Sequence, residues 1–174
     1  MVLGEQLIHW FGKSLGGKKT KVLILTGTPG AASSEDRIKG INNVLPQYPN
    51  IEVLSSQTGY YDRAKSLPVA ENMMQRFPEA EAVLCLNDEM AMGALAASKA
   101  MNRTIKITGM DANPDALKAV AEGELHMTIA LPPYDIGRFG VQFAQKVLKG
   151  ETVPKRHIME VSFVTKDNVA QFRK

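Results

Sequence analysis

Thr28, Ser33, Ser34 and Arg37 follow the apolar run KVLILT, and Tyr60 and Tyr61 follow IEVLS. Asn87 and Asp88 follow AVLCL, and Asp111 closes IKITGM. A carboxylate, an amide, a guanidinium and an aromatic face gathered in one place suit a polyhydroxyl ligand. Asp and Asn exchange hydrogen bonds with vicinal hydroxyls, Arg donates in a fork, and Tyr packs on an apolar ring face.

Each of these side chains has a plainer reading too. Asn87 and Asp88 are placed to cap a helix that begins there. Asp111 could close an Asx turn before Asn113. Arg37 sits with Glu35 and Asp36 in a charged turn that suits a solvated face. Tyr60 and Tyr61 are adjacent, so at most one faces a given side.

Sharper chemistries fail on spacing. Gly27-Thr28-Pro29-Gly30 lies where a phosphate loop would, but no Gly-Lys-Ser/Thr follows. The third glycine of a dinucleotide fingerprint is missing. His9, His126 and His157 lack ligand-like spacing, so no metal is expected. No Gly-x-Ser-x-Gly elbow occurs, and Ser55-Ser56 has no nearby base. Cys85, the one cysteine, lies inside AVLCL and reads as a core residue. Met73, Met74, Met90 and Met92 read as core filler. The sequence offers binding groups and no catalyst or cofactor site.

The elements that must position these groups alternate. Strands are expected at 21–26, 51–55, 82–86, 105–110 and 127–131. Helices are expected from Ser33 or Ser34 (as cap) to Leu45, from the second strand to Phe77 with Pro68 near its start or kinking it, and over 88–101. Another opens at Asn113-Pro114. Residues 1–131 therefore read as an α/β domain, a doubly wound parallel sheet with helices on both faces. In such sheets ligands bind at the carboxyl ends of the strands.

Pro132-Pro133 then stops the fifth strand, and a helix is expected over 135–148 with an apolar stripe of Ile136, Phe139, Phe143, Val147 and Leu148. A last extended stretch covers 157–164. At the other end, Leu3, Leu7, Trp10 and Phe11 form one side of an amphipathic helix. Glu5, Gln6 and His9 interrupt residues 1–11, so no secretory signal is read there.

The chain has 174 residues, 44% of them hydrophobic and 22% charged, enough for a packed core and unlike a disordered protein. No apolar run approaches the ~20 residues of a membrane helix. A net charge of +3 gives no footprint for nucleic acid.

Beyond these readings the chain resembles the type I periplasmic sugar-binding proteins, especially the ribose-binding ones. The likeness is carried by Gly16-Gly17-Lys18 before KVLILTG, Glu35-Asp36-Arg37 with Gly40, and Tyr61-Asp62-Arg63. It continues through Asn87-Asp88-Glu89-Met90-Ala91-Met92-Gly93-Ala94, Gly109-Met110-Asp111, Thr128-Ile129-Ala130, Ile136-Gly137 and KVLKG at 146–150.

The resemblance implies a sugar-like ligand held by Arg37, Tyr61, Asn87 and Asp111. The family's further polar contact, commonly Gln, falls at Leu131, which leaves room for a deoxy, methylated or otherwise less polar ligand. It also implies a periplasmic location and, in a full-length form, an ABC permease as partner. Only the carboxy-terminal lobe of two is recognisable. On this reading 1–131 is the ligand-binding lobe, 132–155 a crossover segment and helix of the absent amino-terminal lobe, and 156–174 a return strand and tail. The helix at 135–148 is expected to fold back on the domain or to pair with a second copy as a homodimer. The effector core of a lac-repressor-type regulator is the alternative, and an adaptor for a chemoreceptor or sensor kinase is another.

Overall fold

The computed structural model describes residues 3–173. Short hydrophobic runs become buried strands, the edge strand over 51–58 with only Ile51 buried being an exception, and the amphipathic stretches between them become helices. In chain order these are α1 (Leu3–Ser14), β1 (Thr20–Thr26), α2 (Ala32–Val44), β2 (Ile51–Thr58), α3 (Arg63–Arg76), β3 (Ala82–Cys85) and α4 (Asp88–Ala100). There follow β4 (Lys106–Asp111), α5 (Pro114–Glu122), β5 (Met127–Ala130), α6 (Pro133–Leu148) and β6 (Ser162–Val164).

The six strands form one sheet in the order β2-β1-β3-β4-β5-β6. The first five are parallel, and β6 lies antiparallel to β5. Right-handed crossovers place α2 on one face and α3, α4 and α5 on the other. Helix α1 packs on α2, and α3 on α4. The strand order reverses between β1 and β3, the switch point at whose carboxyl strand ends open α/β sheets bind ligands.

The core is continuous. Leu7, Ile8 and Phe11 of α1, Leu23 and Leu25 of β1, Leu84 of β3, Ile107 and Met110 of β4, and Met73, Met74 and Met90 are fully or almost fully buried. Cys85 is buried among them, and burial pushes its thiol pKa far up, which leaves it inert. Arg103 closes the far end of α3 by donating to the carbonyls of Met74, Phe77, Pro78 and Ala80.

Several local expectations need correction. Neither Ser33 nor Ser34 caps α2. The N-cap is Ala31, with no side-chain cap bond, because the helix begins at Ala32 and takes both serines into its first turn; just before it the Glu35 carboxylate accepts the Gly30 N–H at 3.2 Å. Of the two positions expected for Pro68, the one inside α3 is found and the one near its start is not. Of the expected extended stretch only Ser162–Val164 pairs. The sheet is not wholly parallel either. The chain leaves β5 at the rim, runs out along α6 and returns from the same end, so β6 must run the opposite way.

Helix α6 has no buried residue. Phe139 and Phe143 stack with ring centroids 6.0 Å apart, and both meet the His157 ring. Beyond that cluster Val141, Val147 and Leu148 stand exposed, Leu148 by 87%. None of the described helices is long and apolar enough to cross a membrane.

Candidate functional site

Arg37 projects from α2 to the carboxyl end of β3. Its guanidinium donates to the Leu86 carbonyl, just before Asn87, and lies 5.6 Å over the Tyr61 ring. Its charge also reaches Asp111, whose carboxyl burial raises and Arg37 pulls down, with Glu89 raising it again. A groove of about 490 Å³ lies beside this cluster, lined by Arg37 and Leu131 together with Ser33, Asp36, Ile136 and Ile158. Arg37 thus reaches Tyr61 with its guanidinium and Asp111 with its charge, ends at the carbonyl just before Asn87 and shares a groove with Leu131. Arg37 does not lie on a solvated face.

Tyr61 is held by shape. Its ring sits on Gly27, where a Cβ would overlap it, and its hydroxyl is buried with no protein partner. Tyr60 faces outward, 46% exposed, with the Lys65 ammonium 5.5 Å from its ring. Asn87 does cap its helix, its Oδ1 accepting the Met90 N–H at 3.0 Å. Capping uses one oxygen and leaves the amide N–H₂ able to donate. Asp111 closes no Asx turn with Asn113, because the Asn113 N–H is donated to Asp88 at 2.8 Å instead.

Backbone strain concentrates at the same rim. Tyr60 (φ 57°), Tyr61 (φ 58°), Asp111 (φ 128°) and Ala112 (φ 58°) lie in a region that side-chain-bearing residues rarely occupy. Such positions cost roughly 1–3 kcal/mol each and persist only where the surroundings over-determine them. They leave β2 and β4, the two strands whose ends carry Tyr61 and Asp111.

Sequence reasoning missed two features. Arg63 bridges three helix starts, donating to Glu89 at 3.1 Å and to Asp115. Asp88 is fully buried, and its carboxylate reaches Thr128, 40 residues away. No local spacing signals a contact of that range. The one hint was an acidic residue following a residue that already caps the helix.

Burial holds the Asp88 carboxyl up at about 6, from 3.8, with bonds from Thr128 and Asn113 pulling it down and the charges of Asp111 and Asp115 adding to the rise. The folded value lies above the unfolded one. The stability it contributes is therefore full below pH 3.8 and lost as pH rises through about 6. At about 1.4 kcal/mol per pKa unit, roughly 3 kcal/mol is at stake. Denaturant midpoints at successive pH values from 4 to 7 should fall across this window in the wild type, and Asp88→Asn should remove that slope.

Among the described residues no group of three His, Cys, Asp or Glu side chains could hold a metal ion. The arrangement carries donors, acceptors and one aromatic face, set between an apolar wall at Leu131 and an acid at Asp111.

Residues 2–152 match the sequence model of the periplasmic binding protein domain. The ribose import binding protein RbsB of Salmonella typhimurium is 36% identical over 166 residues, covering 95% of this chain and 56% of that protein. The arabinose transporter's periplasmic component from Shewanella sp. ANA-3, solved with L-arabinofuranose, superposes with a TM-score of 0.88 at 32% identity, covering 98% of this chain and 58% of that one. A solute-binding protein of Actinobacillus succinogenes holding D-allose gives a TM-score of 0.88 at 25% identity, with 97% and 60% covered. The chain spans about half the length of the curated relatives it matches.

Proposed function

The chain belongs to the periplasmic binding protein domain family, and from that premise we propose that it is the sugar-contacting lobe of a solute-binding protein serving an ABC importer. The observation that carries this reading is the meeting of Arg37, Tyr61, Asn87 and Asp111 at one strand-end rim. Arg37 and Asp111 bond adjacent hydroxyls, Asn87 offers its amide donors, and Tyr61 backs the ring face. The names of the relatives, which speak of ribose, allose and arabinose, support the same ligand class. Leu131 gives one edge of the site no polar group, so a deoxy or methylated sugar fits that edge.

The role is binding without turnover, and the compartment is the periplasm. In the whole protein a second lobe closes over the ligand, and the ligand shifts an open–closed equilibrium that the permease senses. Residues 1–131 are the lobe, 132–155 a crossover to the other lobe and 156–174 the return. One lobe supplies about half the contacts, so the 174-residue chain alone binds at roughly millimolar, since contact energy halves while ordering costs persist.

A thermal-shift panel of pentoses, hexoses, deoxy sugars and polyols at about 10 mM tests the assignment. A ligand at ten times its Kd stabilises by about 1.4 kcal/mol, a shift of a few degrees. One stabilising sugar class is expected, and no shift from any member would sink the reading.

The exposed stripe of α6 is covered by the other lobe in the whole protein and by a second copy when these residues stand alone. Sedimentation of the 174-residue chain should show a dimer that Val141→Glu with Leu148→Glu returns to monomer. A wild-type monomer would remove the homodimer.

A further inference from the structure

Asp88 opens α4 but does not cap it, since Asn87 fills that role. Both of its oxygens serve groups outside its own helix. Oδ2 accepts the Asn113 N–H at 2.8 Å, and Oδ1 accepts the Thr128 hydroxyl at 2.7 Å. The Thr128 oxygen in turn accepts the Ala112 N–H at 3.3 Å. The two peptide N–H groups that follow Asp111 are therefore both anchored, one directly and one through Thr128, on a single fully buried carboxylate.

Those peptides are the ones that need anchoring. The Ala112 N–H belongs to the peptide joining the two positive-φ residues, and the Asn113 N–H to the next. Fixing both fixes how the chain turns off the end of β4, and hence where the Asp111 side chain leaves the backbone. Gly109 makes the reach possible. It lies beneath the Asp88 carboxylate, and a Cβ there would overlap Oδ1. The side chain crosses β4 over this gap to reach Thr128 on β5.

We propose that Asp88 and Thr128 form a buried brace that holds the strained Asp111–Ala112 turn, making Asp88 a positioning residue for the ligand-binding carboxylate of Asp111. This rests on the reading of Asp111 as an acceptor of sugar hydroxyls. Asp88 touches no ligand; it acts through the turn.

The test uses Asp88→Asn, Thr128→Val, Thr128→Ser and a remote core truncation, Val44→Ala. Two readouts are taken: the HN–Hα couplings and amide shifts of Asp111 and Ala112 by NMR without sugar, and calorimetric Kd values for D-ribose, D-allose and L-arabinose. Thr128→Val leaves the Asp88 Oδ1 and the Ala112 N–H without partners, and Asp88→Asn turns an amide toward one of the two donors. Both should change the couplings of the turn and weaken binding tenfold or more. Thr128→Ser keeps the hydroxyl and should restore Kd to within about threefold. Val44→Ala should lower the melting temperature without moving Kd or the couplings.

Unchanged couplings in both Asp88→Asn and Thr128→Val would overturn the brace. Equal weakening by Val44→Ala would also overturn it, by reducing the effect to general stability. If no sugar binds the wild type, the ligand assignment fails while the NMR readout still decides whether Asp88 holds the turn.

Discussion

Asp111→Ala is expected to abolish measurable sugar binding by a domain that still folds. A bond from a ligand hydroxyl to a carboxylate contributes about 1.5–3 kcal/mol, and a vicinal pair accepted by one side chain about twice that. Kd should therefore weaken at least roughly 100-fold, since every 1.4 kcal/mol is about tenfold. Against a single lobe that already binds weakly, the loss takes affinity beyond calorimetric reach. Asp111→Asn separates charge from shape and should retain part of the affinity, weakened about tenfold. Asp111 is half-buried and accepts no bond that closes the fold, so neither change should move stability by more than about 1 kcal/mol. Retained affinity in Asp111→Ala would place the sugar elsewhere.

The second large effect is on stability. Gly109 pairs with Thr128 in the parallel ladder between β4 and β5, and the Asp88 carboxylate occupies the space its side chain would fill. Gly109→Ala must displace a buried carboxylate bonded on both oxygens or bend a strand held on both sides. Overpacking of this kind, with loss of buried hydrogen bonds, costs on the order of 3 kcal/mol, or roughly 10 °C in melting temperature for a chain of this size. Calorimetric unfolding measures it directly. A variant melting within 2 °C of wild type would mean that Asp88 moves freely, and the brace would fall with it. Gly137 in α6, where a Cβ would meet nothing within 4 Å, is the matching control.

The alternation of strands and helices was legible because each buried strand is a short apolar run bounded by turn residues, and because parallel order follows from helical crossovers. Strand ends in an open α/β sheet converge, and Arg37, Tyr61, Asn87 and Asp111 could be collected from them before any contact was known, whereas Leu131 entered only through the family resemblance. The antiparallel β6 was not legible, since its three residues take their direction from where α6 sends the chain. The start of α2 was missed because the helix begins at Ala32, one residue before the first serine, so that Ser33 and Ser34 fall inside its first turn and cannot cap it. The brace stayed hidden for a deeper reason. Asp88 and Thr128 are joined only because α4 packs over β4 and β5 pairs beside it, a tertiary fact that no periodicity encodes.

Trp10, the sole tryptophan of the chain, stacks on Phe163 with centroids 6.0 Å apart and meets the His126 ring edge at 5.6 Å. It thereby joins the first helix to the last strand and gives the protein a built-in optical probe. Indole emission shifts to the red when the ring meets water, so separation of α1 from β6 can be followed by fluorescence with no added label. Burial, with Lys106 nearby, lowers the pKa of His126. The imidazole beside the indole is then neutral at pH 7 and becomes a quencher only when acid protonates it. One spectrum can thus report both whether the chain ends are clasped and whether their histidine has taken a proton.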